Sequence, residues 1–99
     1  MNNKKTISVI TCSKDREFYL DMNICSTINI KNLDEHIIID WSSHKKIPNE
    51  TLSLNSKAKV YRVTGENDWW LTRAYNFGFH MAKGDFILKL DADTTLNHK

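Results

Sequence analysis

Residues 73–93 read RAYNFGFHMAKGDFILKLDAD, and the order of signals in this stretch decides the fold. Leu71, Ala74, Tyr75, Gly78, Met81 and Ala82 recur at helical spacing, which predicts a helix over 69–83. Asn67 or Asp68 is placed to cap its start and Gly84 to end it. Asp85 leads directly into Phe86-Ile87-Leu88-Lys89-Leu90, an apolar run that reads as a strand and stops at Asp91. Helix, turn and strand are therefore followed at once by two carboxylates, Asp91 and Asp93, separated by one alanine.

Upstream, the apolar period switches repeatedly. Residues 59–63 (KVYRV) alternate as a half-buried strand does. Residues 48–55 suggest a short helix with Pro48 in its first turn. Residues 36–40 hold three consecutive isoleucines and read as a strand buried on both faces. Residues 16–29 are helical, with Leu20, Ile24, Thr27 and Ile28 on one stripe and Asp15 as N-cap; residues 7–11 are a short strand ending at Thr11. Strands alternating with helices give an α/β fold, a mostly parallel sheet with helices on both faces. The expected strand order is 3-2-1-4, with the winding direction reversing between strands 1 and 4.

The 99 residues suit one domain, and no Pro/Gly/Ser-rich linker divides them. A net charge of +2 with scattered lysines makes no basic stripe, so nucleic acid is not an expected partner. Three glycines (Gly65, Gly78, Gly84) cannot write a dinucleotide fingerprint or a P-loop. Cys12 and Cys25 match no redox or metal motif and are read as buried thiols of a reducing compartment. The polar start has no signal-peptide core, and the apolar runs fall far short of the roughly 20 residues a membrane span needs. The expected location is cytoplasmic.

In open parallel sheets, ligands bind beyond the carboxyl ends of the strands, near the reversal point. Thr11 closes strand 1, Asp40 strand 2 and Asp91 strand 4. Composition alone gives about 0.6 D-x-D triplets by chance, so position rather than spelling gives Asp91 and Asp93 their weight. Two carboxylates so placed suit Mg²⁺ or Mn²⁺, oxygen-loving cations commonly shared between carboxylates and substrate phosphates. Asp40 is either a strand-ending cap or an acceptor for a nucleobase ring N–H, and position leaves both open. Arg73 can pair with phosphate near a helix start, or with Glu66 or Asp68 on the surface; the surface pair is the simpler reading. Trp69 and Trp70 can stack on a ring, but packing is the commoner use of aromatics at a helix start. His36, His44, His80 and His98 show no metal spacing, and His80 is expected on an exposed helix face.

Three pieces together resemble the N-terminal half of family 2 glycosyltransferases with the GT-A fold. They are Ile7-Ser8-Val9-Ile10-Thr11, the strand His36-Ile37-Ile38-Ile39-Asp40 followed by Ser43, and the block from Arg73 to Asp93. The resemblance implies binding of a nucleotide-diphosphate sugar, most often a uridine one. It implies that Thr11 contacts the nucleoside and Asp40 the base, with Arg73 near the base or diphosphate. Asp91 would reach ribose or metal, and Asp93 would ligate the Mn²⁺ or Mg²⁺. In a complete enzyme the glycosyl group would pass to a hydroxyl acceptor. The chain departs from the family pattern at Trp41-Ser42 and at Cys12-Ser13-Lys14.

No acidic residue follows Asp93, so no catalytic base is legible. The expectation is a single donor-binding domain over 1–99 that lacks an acceptor half. A binding module without turnover and an assembly protein that has lost its ligand are the alternatives. Strand 4 would leave an apolar edge open, which predicts a homo-oligomer.

Overall fold

A computed structural model of the chain describes residues 5–96; residues 1–4 of the polar start and His98 lie outside the described residues. The elements follow in the order β1 (Ile7–Ser13), α1 (Glu17–Ser26), β2 (Leu33–Trp41), α2 (Asn49–Leu52), β3 (Ala58–Val63), α3 (Leu71–Met81) and β4 (Phe86–Lys89). All pairings are parallel, and the sheet order is β3-β2-β1-β4, the order expected.

Period-2 alternation sorts the central strands into two cores. Ile10 and Cys12 of β1, with Ile37, Ile39 and Trp41 of β2, face Ala74 and Tyr75 of α3. On the opposite face, Ile38 packs with Leu20 and Ile24 of α1, and with Ile47 and Ala92. Helices therefore cover both faces, and β1 and β2 are buried nearly throughout because no face of either meets water. Gly78 lets α3 lie close on β1: a Cβ there would sit 2.5 Å from Ile10 Cγ2.

Local signals were overridden at several ends. Asp15 does not cap α1. It sits at φ +56° and its carboxylate accepts from the His44 backbone N–H at 2.8 Å, while Arg16 occupies the cap position without a side-chain bond. α1 stops at Ser26, so Ile28 lies outside the helix and is half exposed. α3 starts at Leu71, leaving Asn67 and Asp68 in the preceding loop, where the Asp68 carbonyl accepts the Trp41 indole N–H at 2.9 Å. Gly84 does not cap α3 either, because Ala82 already leaves the helix in an extended conformation. Its role is close approach: a Cβ would fall 2.7 Å from the Ser8 backbone N, and its N–H donates to Ser8 Oγ at 2.8 Å. Of the thiols, Cys12 is buried but Cys25 is exposed. His80 is exposed, as expected for its helix face.

β2 begins three residues earlier than its apolar run because Glu35 is accommodated inside. Its carboxylate accepts from Ser8 Oγ and from the Lys83 backbone N–H, both at 2.6 Å, and pairs with Lys59 at 3.1 Å. Burial pushes the Glu35 pKa up, but these donors outweigh it and hold the carboxyl below its ordinary value. Among the described residues no helix is long and apolar enough to cross a membrane.

Candidate functional site

With every strand parallel, the carboxyl ends of β1, β2 and β4 meet at one rim. A cleft of about 340 Å³ opens there, lined by Cys12, Lys14, Asp15, Arg16, Trp69, Leu71, Asp91, Ala92 and Asp93. Asp91 and Asp93 are thus brought together, both exposed, while Ala92 between them is buried in the α1-side core. The alternation works as an anchor: the small residue points inward and the two carboxylates point out.

Asp91 is held from behind. Tyr75 Oη donates to its Oδ1 at 2.8 Å, Lys89 Nζ lies 3.6 Å from the same oxygen, and the ammonium sits 4.6 Å from the Tyr75 ring centroid. Burial and the bond to Asp91 raise the Tyr75 pKa well above that of an ordinary phenol, so it stays a donor. At the cleft floor, burial pushes the Cys12 thiol up to about 12, so it remains uncharged. Asp93 has one long contact, 3.5 Å from its own neighbour Thr94.

Asp40 lies two strands away, one residue before the end of β2, which runs on to Trp41 rather than closing at Asp40 as expected, and stands opposite Ser13 and Arg62 in register. Its side chain is 1% exposed, and Oδ2 accepts from Arg62 Nη1 at 2.6 Å. Arg62 is itself fixed by the Ser43 carbonyl at 2.7 Å. Asp40 Oδ1 is buried and, among the described residues, has no donor. An acceptor left open in this way is costly unless something supplies an N–H or O–H. Between Asp40 and the cleft, Lys14 spans the rim: its ammonium donates to the Ser42 carbonyl at 3.1 Å, and it also lines a second hollow with Ser42, Ser43, His44, Gly65, Glu66 and Asn67.

Three of the residues singled out in the sequence, Thr11, Asp40 and Arg73, do not line the cleft. Thr11 is fully buried on the α1 face, its hydroxyl 2.8 Å from His36 Nε2 and 3.4 Å from Asn23 Oδ1. β1 runs two residues past Thr11, and the alternation turns Cys12 rather than Thr11 toward the cleft. Arg73 lies in a separate hollow with Trp41, Val63, Glu66, Asn76 and Phe77, paired to Glu66 at 3.4 Å and 5.9 Å from the Trp41 ring centroid. Trp69 and Trp70 are 43% and 50% exposed instead of packed, and Trp69 forms a wall of the cleft. Helix α3 begins after both tryptophans, which leaves them on the approach loop.

Sequence reasoning missed Arg62, Lys14 and Tyr75. Arg62 follows from strand register, which sequence does not reveal for parallel partners. Tyr75 counted only as a core aromatic; its hydroxyl was the available signal, since a buried phenol needs a partner.

The donor set bears on what the rim can hold. Among the described residues, no three His, Cys, Asp or Glu side chains gather into a cation site. Two carboxylates alone do not make an all-protein cage, and they match the partial set that Mg²⁺ and Mn²⁺ share with phosphates.

The model of the Glycosyl transferase family 2 matches residues 8–99. Among solved structures 22 chains match. One of them is S. aureus TarS 1-349, at a TM-score of 0.77 and 21% identity, the match covering 93% of this chain and 28% of that one. That likeness is one of fold, and the chain spans less than a third of the length of that structure. No curated protein matches the chain.

Proposed function

Because the chain belongs to glycosyl transferase family 2, we propose that its carboxyl-end rim is the donor side of a glycosyl-transfer site, binding a nucleotide-diphosphate sugar, with UDP the nucleotide to try first. The observation that carries this reading is the pair Asp91 and Asp93 exposed on one cleft, together with an orphaned buried acceptor on Asp40 of β2, outside the cleft lining. Two strand spacings separate the ends of β2 and β4, roughly 10 Å across the sheet. A nucleoside diphosphate can span such a rim, with its base toward β2 and its phosphates toward β4.

In this reading Asp40 Oδ1 accepts the ring N–H of the base, and the Arg62 guanidinium, bonded to Oδ2, aims the carboxylate. Trp69 offers a ring face at the mouth of the cleft. Asp91 and Asp93 would hold Mn²⁺ or Mg²⁺, which supplies neutralisation of the diphosphate leaving group. Tyr75 and Lys89 restrict Asp91 to one orientation, leaving its second oxygen for the ligand. In this reading the acceptor is a hydroxyl compound. Free Cys12 and Cys25 accord with a reducing, cytoplasmic setting. The open β4 edge supports self-association into a homo-oligomer.

Calorimetric titration of UDP with and without Mn²⁺ tests the reading. Saturable binding that strengthens with the metal supports it; no binding at millimolar UDP in either condition overturns it. Assaying donor hydrolysis in the same samples separates turnover from a module that only binds.

A further inference from the structure

Asn23 is fully buried on α1, yet its side chain reaches the acidic turn. Its amide nitrogen donates to the Asp91 carbonyl at 3.0 Å and to the Thr94 carbonyl at 2.9 Å, so both hydrogens are used on the two ends of one turn. Within the turn, the Thr94 N–H donates to the Asp91 carbonyl at 2.9 Å and the Thr94 hydroxyl reaches Asp93 Oδ1 at 3.5 Å. The buried Ala92 methyl anchors its backbone, and Tyr75 and Lys89 hold the Asp91 carboxylate. Two neighbouring carboxylates repel each other, and a surface turn with so few internal bonds would spread.

The remaining atom of the amide, Oδ1, leads into the core. Its donor is the Thr11 hydroxyl at 3.4 Å. If Thr11 donates there, it must accept from His36 Nε2–H at 2.8 Å. His36 Nδ1 lies 2.9 Å from the Thr27 hydroxyl, which also donates to the Ile24 carbonyl at 3.0 Å and accepts from Asn55 Nδ2 at 3.0 Å. With Thr11 donating to it, Asn23 Oδ1 has its donor, and the amide is bonded at all three of its hydrogen-bonding positions. That arrangement uses His36 as a donor at Nε2. Burial pushes His36 down to about 4, which keeps the imidazole neutral across the physiological range.

We propose that Asn23 is a positioning residue: its side-chain amide clamps the 91–94 turn so that Asp91 and Asp93 face the cleft together, and the Thr11–His36–Thr27–Asn55 chain holds the amide in that orientation. This rests on the donor-site reading for its functional consequence, although the clamp itself can be tested without a ligand.

The test uses the 99-residue chain carrying Asn23→Leu, near in shape but with no donors. Hydrogen exchange read by mass spectrometry should show protection falling about tenfold at the 91–96 segment, with β1 and β2 unchanged. Mn²⁺-dependent UDP affinity should fall roughly tenfold or more, while metal-free UDP affinity changes less than about twofold. Thr11→Val, which removes only the hydroxyl behind the clamp, should loosen the same segment by a smaller factor, and it decides the matter if Asn23→Leu does not fold. Unchanged exchange at 91–96 overturns the proposal. So does protection lost evenly across the sheet with both UDP affinities falling alike, which marks a merely structural residue. If wild-type protein shows no metal-dependent UDP binding, the donor-site reading fails, and the exchange measurement still decides the clamp.

Discussion

At the residue scale, the carboxylates at the rim differ in what surrounds them. Asp91 is braced by Tyr75 and Lys89, whereas Asp93 stands exposed with one long contact. Asp93→Asn removes a charge without disturbing packing, so the fold should melt as before. Metal-dependent UDP affinity should drop by about tenfold or more, with metal-free affinity little changed. Equal losses in both titrations would take Asp93 out of the metal shell. Asp40 is the opposite case, a carboxylate 1% exposed against a guanidinium 2.6 Å away. Arg62→Met leaves that charge buried and unpaired, and should cost about 3–5 kcal/mol in denaturant unfolding. Asp40→Asn in the same chain should restore much of the loss; additive losses would show that the two side chains are not coupled. Asp40, Asp91 and Asp93 were legible because each carboxylate interrupts or follows an apolar run. Arg62 and Asn23 were not, since nothing local marks a strand arginine or a helix asparagine as facing a site.

At the element scale, strong periodic patterns located α3 and all four strands, while their ends were settled by neighbours. Asp15 is a good cap by type, but His44 claims its carboxylate from 29 positions away. The same long reach explains Gly84, which faces Ser8 across 76 positions. Gly78 shows how closely α3 is seated. A methyl there would meet the side chain of fully buried Ile10 at 2.5 Å. Gly78→Ala should therefore destabilise by about 1–3 kcal/mol despite the better helix propensity of alanine. A thermal melt checks this, and an unchanged or higher midpoint would mean that α3 lifts off β1 freely.

For the whole molecule, the buried polar chain on the α1 face ties stability to pH. The His36 imidazole titrates near 6.5 when unfolded and at about 4 in the fold, because burial disfavours its charge. Between those values the unfolded chain binds a proton that the folded chain refuses, so stability falls as pH drops through this window. From pH 7 to pH 5 the loss should be about 2 kcal/mol, read by urea unfolding. Glu35, Asp15 and Asp85 are held below their ordinary values and add their losses only at lower pH. A flat profile between pH 7 and pH 5 would contradict the neutral, buried assignment. The sheet is also open on one side: Phe86, Ile87 and Leu88 of β4 are 58%, 45% and 36% exposed. An apolar strand edge is a template for pairing. Light scattering should show self-association that Ile87→Lys weakens, and a monomer at every concentration tried would remove the homo-oligomer.

What the amino-acid order determined alone was the alternation of elements, the parallel sheet that alternation demands, and the appearance of acids where apolar runs end. These are local properties: a period of two or 3.6 and its interruption are written within a dozen residues. Tertiary structure decided which of those polar groups share a space. Thr11 and Cys12 are neighbours in sequence, but the pleat sends the first into a hydrogen-bonded core and the second to the cleft. Asn23 and Asp91 lie 68 positions apart and meet because α1 packs on the face of the sheet that takes up Ala92. Such pairings depend on register and on which face of an element is covered, and both are set by packing of the whole sheet.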